Sequence, residues 1–242
     1  MIAEAIEQAF AAEDYGNEVE LYLHNAEAAA DARTRSGDRL EANAILTEAG
    51  SLRAIVESVI GDGERACELA QAAVDRAPLG DAYLRGISWF ALGTTCHYTG
   101  KGTQAIAAYR EALPLCRVVG NTTACMLIAG NLAMLHIVEG HLHAAADTCR
   151  QAIEETGRSP SPSLSLSARS SAWGGVYSNY SGVLYEWGEL DAARRLAERG
   201  LELSERGGHA AALAHSRAIV SRVRLALGDI AGARSPALTP SS

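Results

Sequence analysis

A glycine followed five residues later by an alanine recurs along this chain at nearly regular intervals. The pairs are Gly61/Ala66, Gly100/Ala105, Gly140/Ala145, Gly188/Ala193 and Gly228/Ala233. Successive glycines are about 40 residues apart, except for an interval of about 48 residues before Gly188, and such a period is the signature of a repeat array. The longer interval contains the polar, proline-rich segment 157–163, which predicts a loop.

Each glycine and alanine pair predicts the turn of a helical hairpin. A glycine can end a helix in the left-handed conformation at little steric cost, and a second helix can then begin. The small alanine lets the two helices approach where they cross, and alanines at glycine plus twelve extend this face. Those positions hold Ala73, Ala112, Ala152 and, in the fourth hairpin, Gly200. Acidic residues near the start of the second helices predict N-terminal capping; they are Asp62, Glu189, Asp191 and Asp229.

Composition agrees with an all-α fold. The 242 residues are 48% hydrophobic but only 5% aromatic, and abundant alanine favours closely packed helices over sheets. The spacing of apolar residues predicts helices, and glycines and prolines mark their ends. The predicted helices are 40–60, 64–77, 81–99, 103–119, 121–139, 141–156, 168–187, 190–205 and 210–227. Pro114 is expected to kink the fourth of these helices or end it early.

Charge and cysteine usage narrow the functional classes. The net charge is −8 and no basic run occurs, so we expect no direct binding of nucleic acid by this chain. Five cysteines lie inside predicted helices without a Cys-x-x-Cys pair, which indicates core thiols in a reducing compartment. Glu4 and Glu7 stand where a secretory signal would be basic, and no apolar run is long enough to span a bilayer. We therefore expect a cytoplasmic protein without a membrane segment.

The two ends of the chain depart from the repeat. Residues 1–36 predict two helices around Asp14-Tyr-Gly-Asn17 and an incomplete or capping unit, because Gly16 is followed by Leu21 at the alanine position. The repeat array is expected over 37–234, and 235–242 is expected to be a disordered tail. A last helix begins at Ile230 but soon meets Pro236, which leaves Leu225 and Leu227 without a full partner helix. This C-terminal edge is predicted to self-associate or to contact a missing domain.

A resemblance to the tetratricopeptide repeat (TPR) comes from Trp89, Leu92 and Gly93, which precede Gly100 at the spacing of that repeat. The repeats here are longer than the usual length of about 34 residues. The segments 130–140 and 184–194 resemble the repeat region of MalT-type transcriptional activators, the large ATP-dependent LuxR regulators. The resemblance covers about residues 38 to 234 and implies a right-handed α-solenoid of antiparallel helix pairs.

In that family, a nucleotide-binding switch precedes the repeats and a DNA-binding helix-turn-helix follows them. The repeats take up an inducer, an oligosaccharide in MalT itself, or an inhibitory protein. The phosphate-binding loop Gly-x-x-x-x-Gly-Lys-Ser/Thr is absent from this sequence, and little chain follows Leu227. The resemblance thus implies the signal-sensing repeat domain of a MalT-like LuxR regulator, or one derived from it; the alternative is a stand-alone scaffold for protein interactions.

The first helix of each hairpin is expected to line the concave surface of such an array. Positions near the turn glycines there combine aromatic and polar side chains, which suit a protein segment or a sugar-like inducer. The candidate groove residues are Thr94, His97, Tyr98, Asn131, Met134, Asn179, Tyr185 and Glu186. The alternative for each residue is simple packing between neighbouring helices.

Catalytic and metal sites are not expected. His136, His141 and His143 lie near one turn, but the last two point to different sides of a starting helix and no acidic or cysteine cluster is expected to join them. The chain has no Gly-x-Ser-x-Gly elbow and no catalytic cysteine motif. The sequence therefore predicts a non-enzymatic recognition module without a cofactor.

Overall fold

The computed structural model describes residues 15–158, 166–208 and 210–238, and these residues form eleven α-helices and no strand. The helices are α1 (Tyr15–Arg35), α2 (Arg39–Ile60), α3 (Gly63–Arg76), α4 (Ala82–Tyr98), α5 (Gly102–Val118), α6 (Thr122–Val138), α7 (Leu142–Arg158), α8 (Leu166–Glu186), α9 (Leu190–Gly207), α10 (Ala210–Ala226) and α11 (Ile230–Leu238).

Two compact units divide the chain, the first ending at Ile128 and the second beginning at Ala129. In the first unit, each helix from α1 to α5 packs against the next, and α2 also packs against α4. In the second unit, each helix from α7 to α11 packs against the next, and α8 also packs against α10. Contact with the hairpin partner and with the first helix of the next hairpin is the packing of TPR-like repeats. The predicted all-α fold is confirmed.

Four of the five predicted glycine turns have the left-handed geometry. Gly100, Gly140, Gly188 and Gly228 have φ between 75° and 81°. At Gly100, the N–H of Lys101 donates to the carbonyl of Cys96 over 2.8 Å. The N–H of Gly100 donates to the carbonyl of His97 over 3.1 Å. These two bonds define the Schellman motif, which satisfies carbonyls at the end of a helix.

The prediction of a left-handed turn is wrong at Gly61, where φ is −124°. Only two residues separate α2 from α3, whereas three separate α4 from α5. Asp62 instead begins the next helix at once, and its carboxylate accepts from the backbone N–H groups of Glu64 and Arg65. The side chain therefore supplies the N-terminal cap in a shorter connection.

Capping by acidic side chains is confirmed for Asp62 and also for Asp229, whose carboxylate accepts from the N–H of Gly232 over 2.8 Å. The capping prediction is wrong for Glu189, which precedes α9 but makes no side-chain capping bond. A glutamate is one methylene longer than the aspartate that suits this position. The sequence did not single out Asp81, which caps α4 by accepting from Leu84.

The small residues lie where the hairpin helices cross, as predicted. Ala66, Ala105, Ala145 and Ala193 are completely buried. Gly200 permits a close approach of the two backbones, since a Cβ there would lie 3.0 Å from the carbonyl oxygen of Gly174 and 3.1 Å from the backbone nitrogen of Ser178. Alanine would already be too large at that crossing between α8 and α9.

Pro114, expected to kink its helix or end it early, and Pro236, expected to cut the last helix short, both lie inside helices. Pro114 is within α5, which continues to Val118, and Pro236 is within α11, which continues to Leu238. A proline at 236 cannot donate to the carbonyl of Gly232, and that carbonyl accepts instead from the Arg224 guanidinium over 3.1 Å. Of the predicted disordered tail, 235–238 is therefore helical, and 239–242 lies outside the described residues.

Two other boundaries bear on the sequence predictions. Helix α7 continues through Gly157 to Arg158, so the predicted loop does not begin at Gly157; residues 159–165 lie outside the described part. At the N-terminus, α1 begins at Tyr15, and the helix expected before it lies outside the described residues.

Candidate recognition site

In the first unit, Thr94 has a packing role. Its side chain is buried, and its hydroxyl lies 3.2 Å from the hydroxyl of Tyr109. The neighbouring Gly93 makes room for the Tyr109 ring, because a Cβ at Gly93 would lie 2.6 Å from Cδ1 of that ring. Thr94 is thus part of the contact between α4 and α5.

The end of α4 presents two aromatic rings. His97 and Tyr98 stack with ring centroids 5.7 Å apart and an interplanar angle of 20°. His97 is half-buried, and burial lowers its pKa, whereas 57% of Tyr98 is exposed. Flat exposed rings of this kind can stack against a sugar or an aromatic side chain.

In the second unit, Asn179 joins three successive first helices. Its amide Nδ2 donates to the backbone carbonyl of Gly130 on α6 over 2.9 Å. Its Oδ1 lies 2.9 Å from Nε2 of His215 on α10. Asn179 is only 4% exposed, so in this structure it holds these helices together.

Helices α8 and α10 also bring three side chains together nearer the surface. The Arg222 guanidinium lies 4.3 Å from the centroid of the Tyr185 ring. Its NH2 nitrogen lies 3.4 Å from Oε1 of Glu186. Arg222 and Glu186 are exposed and Tyr185 is half-buried, so the cluster combines an aromatic surface with both signs of charge.

We call this surface the α8–α10 face and define it by Tyr185, Glu186, His215 and Arg222. Gly182 lies between Asn179 and Glu186 on α8, and a Cβ there would be 3.7 Å from Ile219 and 3.8 Å from Arg222. The pKa of His215 is lowered, first by burial and then by the Arg222 cation. The neutral imidazole can donate from Nε2 to Asn179, which leaves the positive charge of the face on Arg222.

Asn131 and Met134, the remaining predicted residues, are half-buried on α6. The structure thus gives Thr94 and Asn179 roles in packing, and leaves Tyr98, Tyr185 and Glu186 accessible. A single groove formed by all eight residues stays a prediction.

Sequence reasoning missed Arg222 and His215. Arg222 precedes Gly228 by six residues, the same position that Thr94 holds before Gly100 and Met134 before Gly140. Extending the register to the fifth turn would have found it. His215 precedes its turn by 13 residues, outside the positions considered, and only its bond to Asn179 reveals its role.

The C-terminal edge exposes apolar side chains, as predicted. Leu225 and Ile230 are each 59% exposed, and Leu227 is 38% exposed. All three lie near the turn between α10 and α11. Isolated exposed leucines are common on protein surfaces, but these three occur within six residues.

One metal-binding set departs from the sequence expectation. Glu139 lies beside His136 and His141 at the end of α6. Each of these three residues has one potential ligand atom, and the three atoms lie within 4.8 Å of one another. The sequence predicts no acidic cluster here and does not single out Glu139; the Glu139 carboxylate comes close to His136 and His141 because the left-handed turn at Gly140 folds His141 back over the helix end.

Comparison with protein families gives a match over most of the chain. The sequence profile described as the MalT-like TPR region matches residues 47–237. The chain belongs to the MalT-like TPR family. Comparison with curated protein sequences gives no significant match.

Solved structures share the fold of this MalT-like TPR chain. BtubC (BKLC) from P. vanneervenii has a TM-score of 0.67 at 21% identity, covering 90% of this chain and 87% of that one. A putative kinesin light chain of Podosopora anserina with nearly identical TPR-like repeats has a TM-score of 0.57 at 12% identity, covering 81% and 92%. At such identities the similarity shows the fold alone. Within the described residues, no helix has the length and apolar character needed to cross a membrane.

Proposed function

We propose that this chain is a non-enzymatic recognition module, the signal-sensing TPR domain of a MalT-like LuxR transcriptional regulator or a domain derived from one. The match to the MalT-like TPR region supports the regulator origin. In that family the repeats take up an inducer or an inhibitory protein, and a separate domain binds DNA. The free cysteines suit a reducing compartment, so we place the module in the cytoplasm.

The cluster of Tyr185, Glu186 and Arg222 is the observation that carries this proposal. Arg222 and Glu186 form an ion pair at the surface, and such exposed pairs contribute only about 0–1 kcal/mol to stability. An exposed contact between Arg222 and Tyr185 adds about 0.5–1 kcal/mol. These side chains are therefore placed where they can exchange their mutual contacts for contacts with a bound molecule at little cost.

The chemistry of the face suits two kinds of occupant. Arginine and tyrosine are the residue types that dominate binding energy at protein interfaces. The same aromatic ring beside a carboxylate and a guanidinium can also bind a sugar, since the ring stacks and the polar groups fix the hydroxyls. We therefore propose that a protein segment or a small-molecule inducer binds at the α8–α10 face. In the first unit, the rings of His97 and Tyr98 form a separate candidate surface of their own.

Photo-crosslinking tests whether this face is occupied by a protein. One variant carries benzoylphenylalanine at position 185. A control variant carries it in place of Val118, which is 79% exposed on α5. On irradiation in the source cells, position 185 should give one discrete adduct that position 118 does not. Equal labelling at both positions, or none at 185 with no small molecule retained, contradicts the proposal.

Native mass spectrometry of the chain purified from the same cells tests for a small-molecule inducer. A panel of short linear oligosaccharides is then added, and the melting temperature is measured for the wild type and for Arg222→Ala. Binding to the folded state raises the melting temperature. An inducer at the α8–α10 face should stabilise the wild type more than the variant.

The second candidate, a stand-alone scaffold, is favoured by the exposed C-terminal edge. Leu225, Leu227 and Ile230 present apolar area that suits another protein surface or a second copy of the chain. Sedimentation measurements over a range of concentrations test self-association, and Leu225→Glu should reduce it. A strict monomer at high concentration, with no binding of a dye for exposed apolar surface, argues against this role for the edge.

A further inference from the structure

The end of α6 carries three metal-binding side chains on a single turn. His136 lies in the last turns of the helix, Glu139 follows its last residue, and His141 follows Gly140. One nitrogen or carboxylate oxygen of each lies within 4.8 Å of the others. His136 is buried, whereas Glu139 and His141 are exposed. The His136 side chain is thus held in place by its surroundings, whereas the exposed side chains of Glu139 and His141 can change rotamer.

The backbone of this turn explains why the two histidines meet. Gly140 has φ of 77°, and the N–H of His141 donates to the carbonyl of His136 over 2.7 Å. In this Schellman motif the side chains at these two positions usually make an apolar contact. Here both are imidazoles, with ring centroids 6.1 Å apart.

The other turns with the same hydrogen bond provide an internal comparison. The pairs at the positions of His136 and His141 are Arg33/Asp38, Cys96/Lys101, Cys116/Asn121, Leu184/Glu189 and Arg224/Asp229. Within the described residues, none of these turns combines two imidazoles with a carboxylate. The residues that hold the place of Glu139 before Gly100, Gly188 and Gly228 are Thr99, Trp187 and Leu227. The fold does not require the histidines and glutamate, since the other turns form without them.

The geometry points to a divalent transition-metal ion, with zinc as the representative, bound by His136, Glu139 and His141. Nδ1 of His141 lies 3.3 Å from Oε2 of Glu139. Two ligand atoms bound tetrahedrally to zinc at about 2.0–2.2 Å lie about 3.3–3.5 Å apart. Two imidazoles and one carboxylate are ligands that zinc prefers.

A bound ion would connect the end of α6 to the start of α7. Three protein ligands leave the fourth tetrahedral position open to water or to a group of a bound partner. The bond from His136 to the ion would hold the metal against the buried side of the turn, and the exposed pair would close over it by small side-chain rotations. Without an ion, the same atoms of Glu139 and His141 lie 3.3 Å apart and contact each other directly.

Equilibrium dialysis of the full chain, without an affinity tag, against zinc chloride tests the proposal by metal analysis. We expect one zinc ion per chain in the wild type. Loss of a residue that only supports a metal ligand typically weakens binding by about 10–100-fold. His141→Ala and Glu139→Gln remove ligands directly, so each should weaken zinc binding by at least about tenfold. Both residues are exposed, and circular dichroism checks that the variants stay folded.

His143→Ala is the matched control, because this exposed imidazole lies two residues beyond His141 and contacts Trp187 with ring centroids 5.0 Å apart. The control should keep wild-type affinity. Zinc should also raise the melting temperature of the wild type and of His143→Ala, but not that of His141→Ala. Magnesium, which prefers oxygen ligands, should not displace the zinc.

Three results would overturn the assignment. The wild type could fail to retain zinc at one ion per chain, which would leave Glu139 and His141 in contact with each other only. Zinc could be retained unchanged by both His141→Ala and Glu139→Gln, which would locate it elsewhere, for example at the Cys67 thiol. Equal loss of zinc in His143→Ala would show that the effect is not specific to the three ligands.

Discussion

The Nε2 atom of His215 lies 2.9 Å from the Oδ1 atom of Asn179, and Asn179 in turn donates to the backbone carbonyl of Gly130. This pair links the first helices of successive hairpins in the second unit. Because the bonds belong to a side chain that is 4% exposed, their loss cannot be fully compensated by water.

Asn179→Ala should therefore lower the free energy of unfolding by about 1–3 kcal/mol, the cost of leaving buried polar groups without a partner. Urea denaturation followed by circular dichroism measures this change. Glu154→Ala, at an exposed position on α7, is the control and should stay within about 0.5 kcal/mol of the wild type. Equal stability of the two variants would show that the amide does not hold the helices together.

The stability of the protein should fall as the pH is lowered through the range below about 6.5, the ordinary histidine pKa. The pKa of His215 is lowered in the folded state by burial and by Arg222. The unfolded chain therefore binds its proton at a higher pH than the folded chain, and acid favours unfolding. The lowered pKa of His97 acts in the same direction.

Unfolding free energies at several pH values test this effect. His215→Gln should lose less stability than the wild type between neutral pH and pH 5, because glutamine does not titrate. His24→Gln, at an exposed position on α1, should keep the wild-type dependence. A steeper acid loss in His215→Gln would reverse the predicted sign.

Gly100→Ala should destabilise the protein by about 1–2 kcal/mol, the cost of the left-handed conformation for a residue with a Cβ. Gly100 has φ of 75°, and a Cβ there would have no neighbour within 4 Å, so the effect isolates backbone strain. Gly61→Ala is the matched comparison, since φ is −124° and the nearest atom belongs to the flexible end of Glu57. Thermal unfolding should show the larger loss for Gly100→Ala; the reverse order would contradict the assigned turns.

The helices and the glycine turns could be predicted from the sequence because they depend on local chemistry. Gly100, Gly140 and Gly188 each need a backbone conformation that favours glycine, and the alanine five residues later must fit the helix crossing. The departure at Gly61 could not be predicted, because it depends on whether two or three residues separate the helices. A one-residue difference in helix ends is below the precision of sequence patterns.

The candidate site was predicted less completely, for a physical reason. Register places Tyr185 and Glu186 near the surface of a first helix, but burial and partners depend on the next hairpin. Asn179 has the same polarity as a ligand-binding residue, yet His215 and Gly130 occupy its hydrogen-bonding groups. Contacts between hairpins decide such roles, and no single helical pattern contains them.

Gly93→Ala should destabilise the protein by about 1–3 kcal/mol through overpacking. A Cβ at Gly93 would lie 2.6–2.7 Å from two atoms of the buried Tyr109 ring. Gly175→Ala in α8 is the control, because a Cβ there meets nothing within 4 Å, and alanine favours the helix by about 0.5–1 kcal/mol over glycine. Gly93→Ala should thus lower the melting temperature and Gly175→Ala should raise it. A stabilised Gly93→Ala would show that the contact between α4 and α5 can accommodate a methyl group.

Affinity for the molecule identified at the α8–α10 face tests the proposed recognition most directly. Binding by calorimetry is compared between the wild type, Arg222→Ala and Arg195→Ala, the last an exposed arginine on α9 as the control. Arginine anchors at interfaces typically contribute more than about 1–2 kcal/mol. We predict that Arg222→Ala binds at least about tenfold more weakly with unchanged helical content, while Arg195→Ala binds as the wild type does. Wild-type affinity in a folded Arg222→Ala chain would contradict recognition at this face.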